Sequence, residues 1–417
     1  MMTDRQSSEA TASKQGFYYG YIIVLAAFLI LAVVYGARFA FGVFFKPMAT
    51  EFGWGSAETS LAFSISMLLE GLLGVAMGHL TDRLGPRIVL TAGGILVGLG
   101  LLMMSQVSTV GQFYLIYGLL IGIGMGSFFV PLIVTTGRWF DRRRSTMTGV
   151  VMAGTGIGTL IIAPVANWII YNLSWQASYF ILGGVILVVV TVTAQFLKRD
   201  PSKIGILSYD SKENNALKIT RGHSFTLKQA AHTLQFWSII VISLCFGFCV
   251  FSANVHLVPA ALNRGISAAS SANILAITGG IRVLGNIMMG KVADRIGKKR
   301  NSVVGFVFMF VALLWLLPAA GSWAFYLFAI LFGFGYGAAA SSYAPLVGEY
   351  FGLKYHGLIF GISGLAHTFG GAFGPYLTGH LFDVAQSYQF AFLVNAGIAF
   401  IGLAILSGLR PPKRLLV

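Results

Sequence analysis

Long apolar runs separated by short polar stretches fill most of this chain. A helix crossing a hydrocarbon core of about 30 Å needs about 20 mostly apolar residues. Runs of that kind lie at 18–44, 57–80, 88–106, 112–136, 146–170 and 176–197. After a polar stretch at 198–232, six more follow at 236–260, 268–293, 301–319, 323–348, 356–380 and 388–409. The pattern predicts an all-α integral membrane fold of twelve spans. The first run is too long for a signal-peptide core, so it is expected to be retained as a membrane helix.

Composition closes off the soluble alternatives. Hydrophobic residues make up 56% of the chain and charged residues 10%. Soluble domains carry about 25% charged residues, so this chain cannot assemble a water-facing surface over its whole length. Cys245 and Cys249 lie four apart in one apolar run and read as packing residues rather than metal ligands. The sequence shows no disulfide framework, metal-spaced cluster or catalytic constellation. No cofactor is expected.

The basic residues set an expected orientation. All but four of the 28 Lys and Arg fall in alternate connections, in the 198–232 stretch or in the two tails. Lys46 and Arg264 lie on the other side, and Arg38 and Arg282 lie within spans. Positive residues are retained on the cytoplasmic side, so both termini and the linker are expected inside the cell. The net charge of +15 is thus a topology signal, suited to anionic inner-leaflet lipid. It is scattered over short loops and does not make a nucleic-acid surface.

A duplication runs through this pattern. Gly78-His-Leu-Thr-Asp82-Arg83-Leu-Gly85 follows the second span, and Gly290-Lys-Val-Ala-Asp294-Arg295-Ile-Gly297 follows the eighth. Both fit G-x-x-x-D-R-x-G, at an offset of 212 residues (82 to 294). In each loop the first glycine permits close helix approach and the second suits a tight turn. The Asp can pair with an Arg or accept from a helix N-terminus. Gly122, Gly124 and Gly126 recur as Gly333, Gly335 and Gly337, Trp139-Phe140 as Tyr350-Phe351, and Ala163-Pro164 as Gly374-Pro375. The chain therefore divides into a tail at 1–17, a six-helix repeat at 18–197, a linker at 198–232, a second repeat at 233–409 and a tail at 410–417.

With its paired G-x-x-x-D-R-x-G loops, six-plus-six arrangement and central linker, the chain resembles the major facilitator superfamily over nearly its whole length. Tyr35-Gly36, Val43-Phe44-Phe45-Lys46, Arg138-Trp139-Phe140 with Arg142 to Arg144 and Gly149, and Gly357 to Gly371 are similar to the monocarboxylate transporter and oxalate/formate antiporter branch. That resemblance implies a cationic residue in helix 8 that receives a substrate carboxylate, but the usual position falls on Asn286. It also implies a lysine one residue beyond Arg38, where this chain has Phe39. The helix 11 lysine of related antiporters corresponds to Ser363.

Such folds place the substrate site near the bilayer midplane, between the repeats. An ionisable residue at that depth marks function by default. Arg282 and Glu70 each lie twelve residues before their motif aspartate, about 18 Å from the loop. They occupy equivalent positions with opposite charge. Arg282 suits a small organic anion, because a guanidinium stays charged and pairs bidentately with a carboxylate. Asn286, Tyr336 and Tyr117 are candidate neutral donors beside it. Glu70 is a candidate proton carrier, since burial favours the neutral acid. It is equally a candidate fixed counter-ion for Arg38 or Arg282. Arg38, placed near the outer end of helix 1, suits gating or anion attraction. His256 and His367 are candidate titrating groups, against a packing role for each.

The reading that follows is a secondary transporter, not an enzyme, carrying small lactate- or pyruvate-like monocarboxylates. Coupling to H+ by alternating access, in the inner (plasma) membrane and as a monomer, is expected. An organic-anion antiporter is the alternative. A drug exporter fits less well, because Gly158-Thr-Leu-Ile-Ile-Ala-Pro164 lacks the Gly-Pro and Gly-Gly of exporters. A membrane nutrient sensor lacks an output domain.

Overall fold

The computed structural model describes residues 18–140, 144–199, 225–318, 321–352 and 355–410. The tails at 1–17 and 411–417, most of the linker and the side chain of Asp294 lie outside the described residues.

Among the described residues twelve long helices carry the fold, numbered here in chain order. They are α1 (Gly20–Phe52), α2 (Ser56–Leu84), α3 (Pro86–Met104), α4 (Val110–Trp139), α5 (Arg144–Asn172) and α6 (Trp175–Ala194). The second six are α7 (Leu234–Asn263), α8 (Ala268–Ile296), α9 (Lys298–Trp315), α10 (Ser322–Phe351), α11 (His356–Ala385) and α12 (Tyr388–Gly408). Among the described residues, nine are long and apolar enough to span a membrane on composition alone, and α2 makes a tenth as a bent helix. Helix α9, whose first residues are Lys298, Lys299 and Arg300, and α11 complete the twelve.

Several helices run further than their apolar runs. Helix α1 continues through Lys46 and Pro47 to Phe52, with a single non-helical residue at Ala40. Arg38 therefore lies at mid-span rather than near the outer end. The motif segments are helix, not loop. Gly78, Asp82 and Arg83 belong to α2, and Gly290, Asp294 and Arg295 to α8. Only Gly85 (φ +87°) and Gly297 (φ +93°) break the chain between helices, a backbone region open to glycine. Pro86, whose φ and missing N–H suit a first helical turn, starts α3 directly. Helix α4 holds a π-helical stretch at Tyr114–Ile121 that apolar periodicity did not foretell.

The duplication is visible in the packing. Within the first half α1 packs on α5 and α3 on α6; within the second, α7 packs on α11 and α9 on α12. A Cβ at Gly158 would overlap the carbonyl of Ala32, and one at Gly370 the carbonyl of Leu244. Gly158 and Gly370, like Ala32 and Leu244, are 212 residues apart. Such small residues let membrane helices approach closely. The halves meet along α2 against α11 and along α5 against α8, a pairing that the repeat maps onto itself.

These two seams are closed at one face and part at the other. The closed, distal face is the one where α2 begins. There the Asp383 carboxylate accepts from the Ser56 and Ala57 amides at 2.8 and 2.7 Å. Ser60 lies 3.1 Å from His256 Nε2, and Ser64 donates to the Ala372 carbonyl. At mid-depth Gly71 packs on Thr368 and Gly156 on Val283. Nearer the motif face, a Cβ at Gly149, Gly361 or Gly364 would meet nothing within 4 Å.

Candidate substrate site

Helical spacing assembles the first charged cluster. Tyr35 and Arg38 are one turn apart on α1, and Ser66, Met67 and Glu70 share a face of α2. Where these faces meet, Arg38 Nη1 donates to Ser66 Oγ at 3.1 Å, and Nη2 lies 3.3 Å from Met67 Sδ. Arg38 Nη2 and Glu70 Oε2 form an ion pair at 3.2 Å. The guanidinium covers the Phe63 ring at 4.7 Å, and the Tyr35 hydroxyl donates to the other carboxylate oxygen, Oε1. Arg38 is 4% exposed. Two charges taken out of water at that depth are tolerable only because they neutralise each other. Glu70 is thus the counter-ion of Arg38, one of the two partners that the sequence left open.

Arg282 is built differently. Its Nη2 donates to Thr155 Oγ1 on α5 at 2.8 Å, and its Nη1 lies 3.3 Å from the Tyr336 hydroxyl. The guanidinium sits 5.1 Å from the Phe39 ring and 4.9 Å from the Tyr336 ring. Such contacts are attractive for a desolvated cation, yet none neutralises it. Arg282 makes no ion pair among the described residues. Its contacts span both halves, through Phe39 and Thr155 on one side and Tyr336 on the other.

The other candidates separate. Tyr336 joins Arg282 directly, whereas Tyr117 lines a small cavity with Arg38, Val34 and Met125 inside the first half and packs at a tilt against Phe41, ring centroids 4.9 Å apart. Tyr117 therefore belongs to Arg38's surroundings rather than to Arg282's. Asn286 lies one turn from Arg282 and its backbone amide packs under Gly337. His256 is fully buried at the distal seam, where Nε2 is 2.8 Å from the Pro375 carbonyl and Nδ1 is 3.3 Å from the Tyr388 hydroxyl. That places it among seam contacts and away from the Glu70 cluster. His367 is nearer the centre, its ring against Phe246 and Phe251.

At the motif face Arg138 donates to Asp82 at 2.6 Å. The residue equivalent to Arg138 in the second half is Glu349, which is exposed, so this ion pair is not duplicated in kind. Gly78 packs against Val130 of α4, and Gly290 faces Ser341. Arg83 and Arg295 are exposed.

Tyr35, Thr155 and Asp383 were missed by sequence reasoning. Tyr35 carried a signal, its one-turn spacing from Arg38. Thr155 and Asp383 carried none, because both act across the seam between halves.

Two pseudo-symmetric helix bundles that part on one face, around a mid-depth cation with no counter-charge among the described residues, form the architecture of a membrane transporter. The chain belongs to the Major Facilitator Superfamily, whose family model matches residues 27–300 and 257–416. Among curated proteins it is similar to monocarboxylate transporter 12 of Homo sapiens, 28% identical over 94% of this chain and 80% of that one. It is also similar to monocarboxylate transporter 12 of Xenopus laevis, 26% identical over 98% and 92% of the two chains. Monocarboxylate transporter 13 of Rattus norvegicus is 28% identical over 93% and 88%. In fold it is similar to a bacterial homologue of the human lysosomal transporter Spinster, in an inward-facing and occupied conformation. That match has a TM-score of 0.74 and 13% identity, covering 94% of this chain and 97% of the other.

Proposed function

We propose that the protein is a proton-coupled carrier of monocarboxylates working by alternating access. The observation that carries this is the charge arrangement at mid-depth. Arg38 and Glu70 cancel, while Arg282 stands between the halves with hydrogen-bond partners but without a counter-charge among the described residues. A single carboxylate would supply that charge, through the paired N–H groups that Arg offers. The curated relatives named monocarboxylate transporters support the same substrate class, with lactate- or pyruvate-like acids as first candidates.

Glu70 is the proposed proton carrier. Protonation would release Arg38, so the site would gain positive charge on protonation and lose it on binding the anion. Anion and proton would then bind together and permit the halves to rock. Arg83, Arg87, Lys198, Lys298 and Lys299 lie on the motif face, which supports a proposed orientation with that face in the cytoplasm of a cell's inner (plasma) membrane, beside anionic lipid. On that orientation the structure is inward-open. The carrier is proposed to act as a monomer.

Uptake of labelled pyruvate, lactate, formate and oxalate into proteoliposomes tests the reading. Stimulation by an inside-alkaline gradient is expected. A requirement for internal organic anion, with no effect of the gradient, would instead establish an antiporter.

A further inference from the structure

The contacts around Arg282 continue into a closed ring of side chains. Arg282 lies on Phe39 at 5.1 Å, Phe39 on Phe251 at 6.0 Å, and Phe251 on His367 at 5.6 Å. Returning, His367 lies on Phe246 at 5.4 Å, Phe246 on Tyr336 at 5.5 Å, and Tyr336 on Arg282 at 4.9 Å. Three contacts separate Arg282 from His367 in either direction, so the two stand opposite one another. Phe39 and Phe251 form one flank, and Tyr336 and Phe246 the other. Five helices supply this ring, α1 from the first half and α7, α8, α10 and α11 from the second.

Each part has a chemical consequence. The guanidinium lies against two ring faces, which leaves those of its five N–H groups that Thr155 and Tyr336 do not engage for a carboxylate. The flanks are aromatic, and aromatic pairs at centroid separations of about 4.5–7 Å are attractive beyond their buried area. The methyl group of lactate or pyruvate, joined to the carboxylate through one oxygen-bearing carbon, would touch little of this surface. At the far end His367 Nδ1 is buried against Gly247 of α7. The residue as a whole is half-buried, and the ring carries a second nitrogen, Nε2.

We propose that the preferred substrates are monocarboxylates with a flat aromatic body, the carboxylate on Arg282 and the far end of the aryl group against His367. This rests on the monocarboxylate reading and deepens it. Phe39, Phe246, Phe251 and Tyr336 are then specificity-determining residues, and Phe39 supplies aromatic surface where the family resemblance implies a lysine.

Competition against labelled pyruvate uptake in proteoliposomes tests the proposal, with phenylpyruvate and 3-phenyllactate set against unlabelled pyruvate and lactate. The phenyl acids are expected to compete at concentrations at least tenfold lower. Direct uptake of labelled phenylpyruvate must accompany that competition. Phe251→Ala is expected to lower the phenylpyruvate-to-pyruvate preference about tenfold, and Phe251→Tyr to keep it. Equal or better competition by pyruvate and lactate would overturn the aryl preference and leave the monocarboxylate reading standing. Phenylpyruvate that competes without being taken up would overturn it as well. Absence of uptake for every carboxylate would overturn both.

Discussion

Arg38 and Glu70 form a buried ion pair at 3.2 Å, and Arg282 occupies, in the second half, the position that Glu70 occupies in the first. The duplication thus places an acid and a base at equal depth, but the acid is consumed within its own half. Breaking a buried pair on one side leaves an uncompensated charge, at a cost of about 3–5 kcal/mol, whereas replacing both partners by apolar groups is often neutral. Glu70→Gln is therefore expected to lower the melting temperature and to abolish stimulation of uptake by a proton gradient. Arg38→Met combined with Glu70→Met is expected to recover the melting temperature while remaining uncoupled. Intact coupling in Glu70→Gln would remove Glu70 from the proton path.

The distal seam is expected to be the main lock on the observed conformation. Asp383 takes two amide hydrogens from the start of α2 across the halves. Hydrogen bonds to charged groups contribute about 1.5–3 kcal/mol each, so losing one shifts the balance of the two conformations by roughly ten- to a hundred-fold, and losing both by roughly a hundred-fold or more. In a background with Cys245 and Cys249 replaced, a reporter cysteine at Ser64 should label slowly from the distal side. Asp383→Ala should raise that rate by at least tenfold. An unchanged rate would show that the seam is held by apolar packing.

The motif-face pair should behave in the opposite way. Arg138 and Asp82 have side chains 29% and 44% exposed, and exposed pairs contribute about 0–1 kcal/mol. Arg138→Ala is expected to change the melting temperature much less than Glu70→Gln does. A drop as large as that of Glu70→Gln would mean that the pair is buried in another state of the cycle.

Close packing gives a prediction that depends on the duplication alone. Gly158→Ala and Gly370→Ala would each drive a methyl group into a facing carbonyl, and both are expected to cut folded yield severely. Gly364→Ala meets nothing within 4 Å and is expected to fold normally. Monodispersity after detergent extraction reads all three.

Much of this architecture was legible in the residue pattern, for a physical reason. Lipid forces backbone groups to satisfy themselves within helices, so apolar length reports the spans, and the repeated G-x-x-x-D-R-x-G segment reports their symmetry. Depth was legible too, since counting back from Asp82 and Asp294 placed Glu70 and Arg282 level. What the pattern could not report was partnership. Glu70 had two cations to choose between, and only the crossing of α1 and α2 decides for Arg38. Arg38 was itself displaced toward the outer end in the sequence reading, because the apolar run closes at Lys46 while the helix continues to Phe52. Tyr117 shows the same limit, since a tyrosine in α4 can face either cation and here lines the cavity of Arg38.

Uptake by an Arg282→Gln carrier tests the account most directly. The substitution keeps a polar, though shorter, side chain while deleting the charge. Labelled monocarboxylate uptake into proteoliposomes is expected to fall to the level of protein-free vesicles, with a melting temperature close to that of the unmodified protein. Uptake at the unmodified rate would show that Arg282 does not receive the carboxylate, and the proposed site would have to be abandoned.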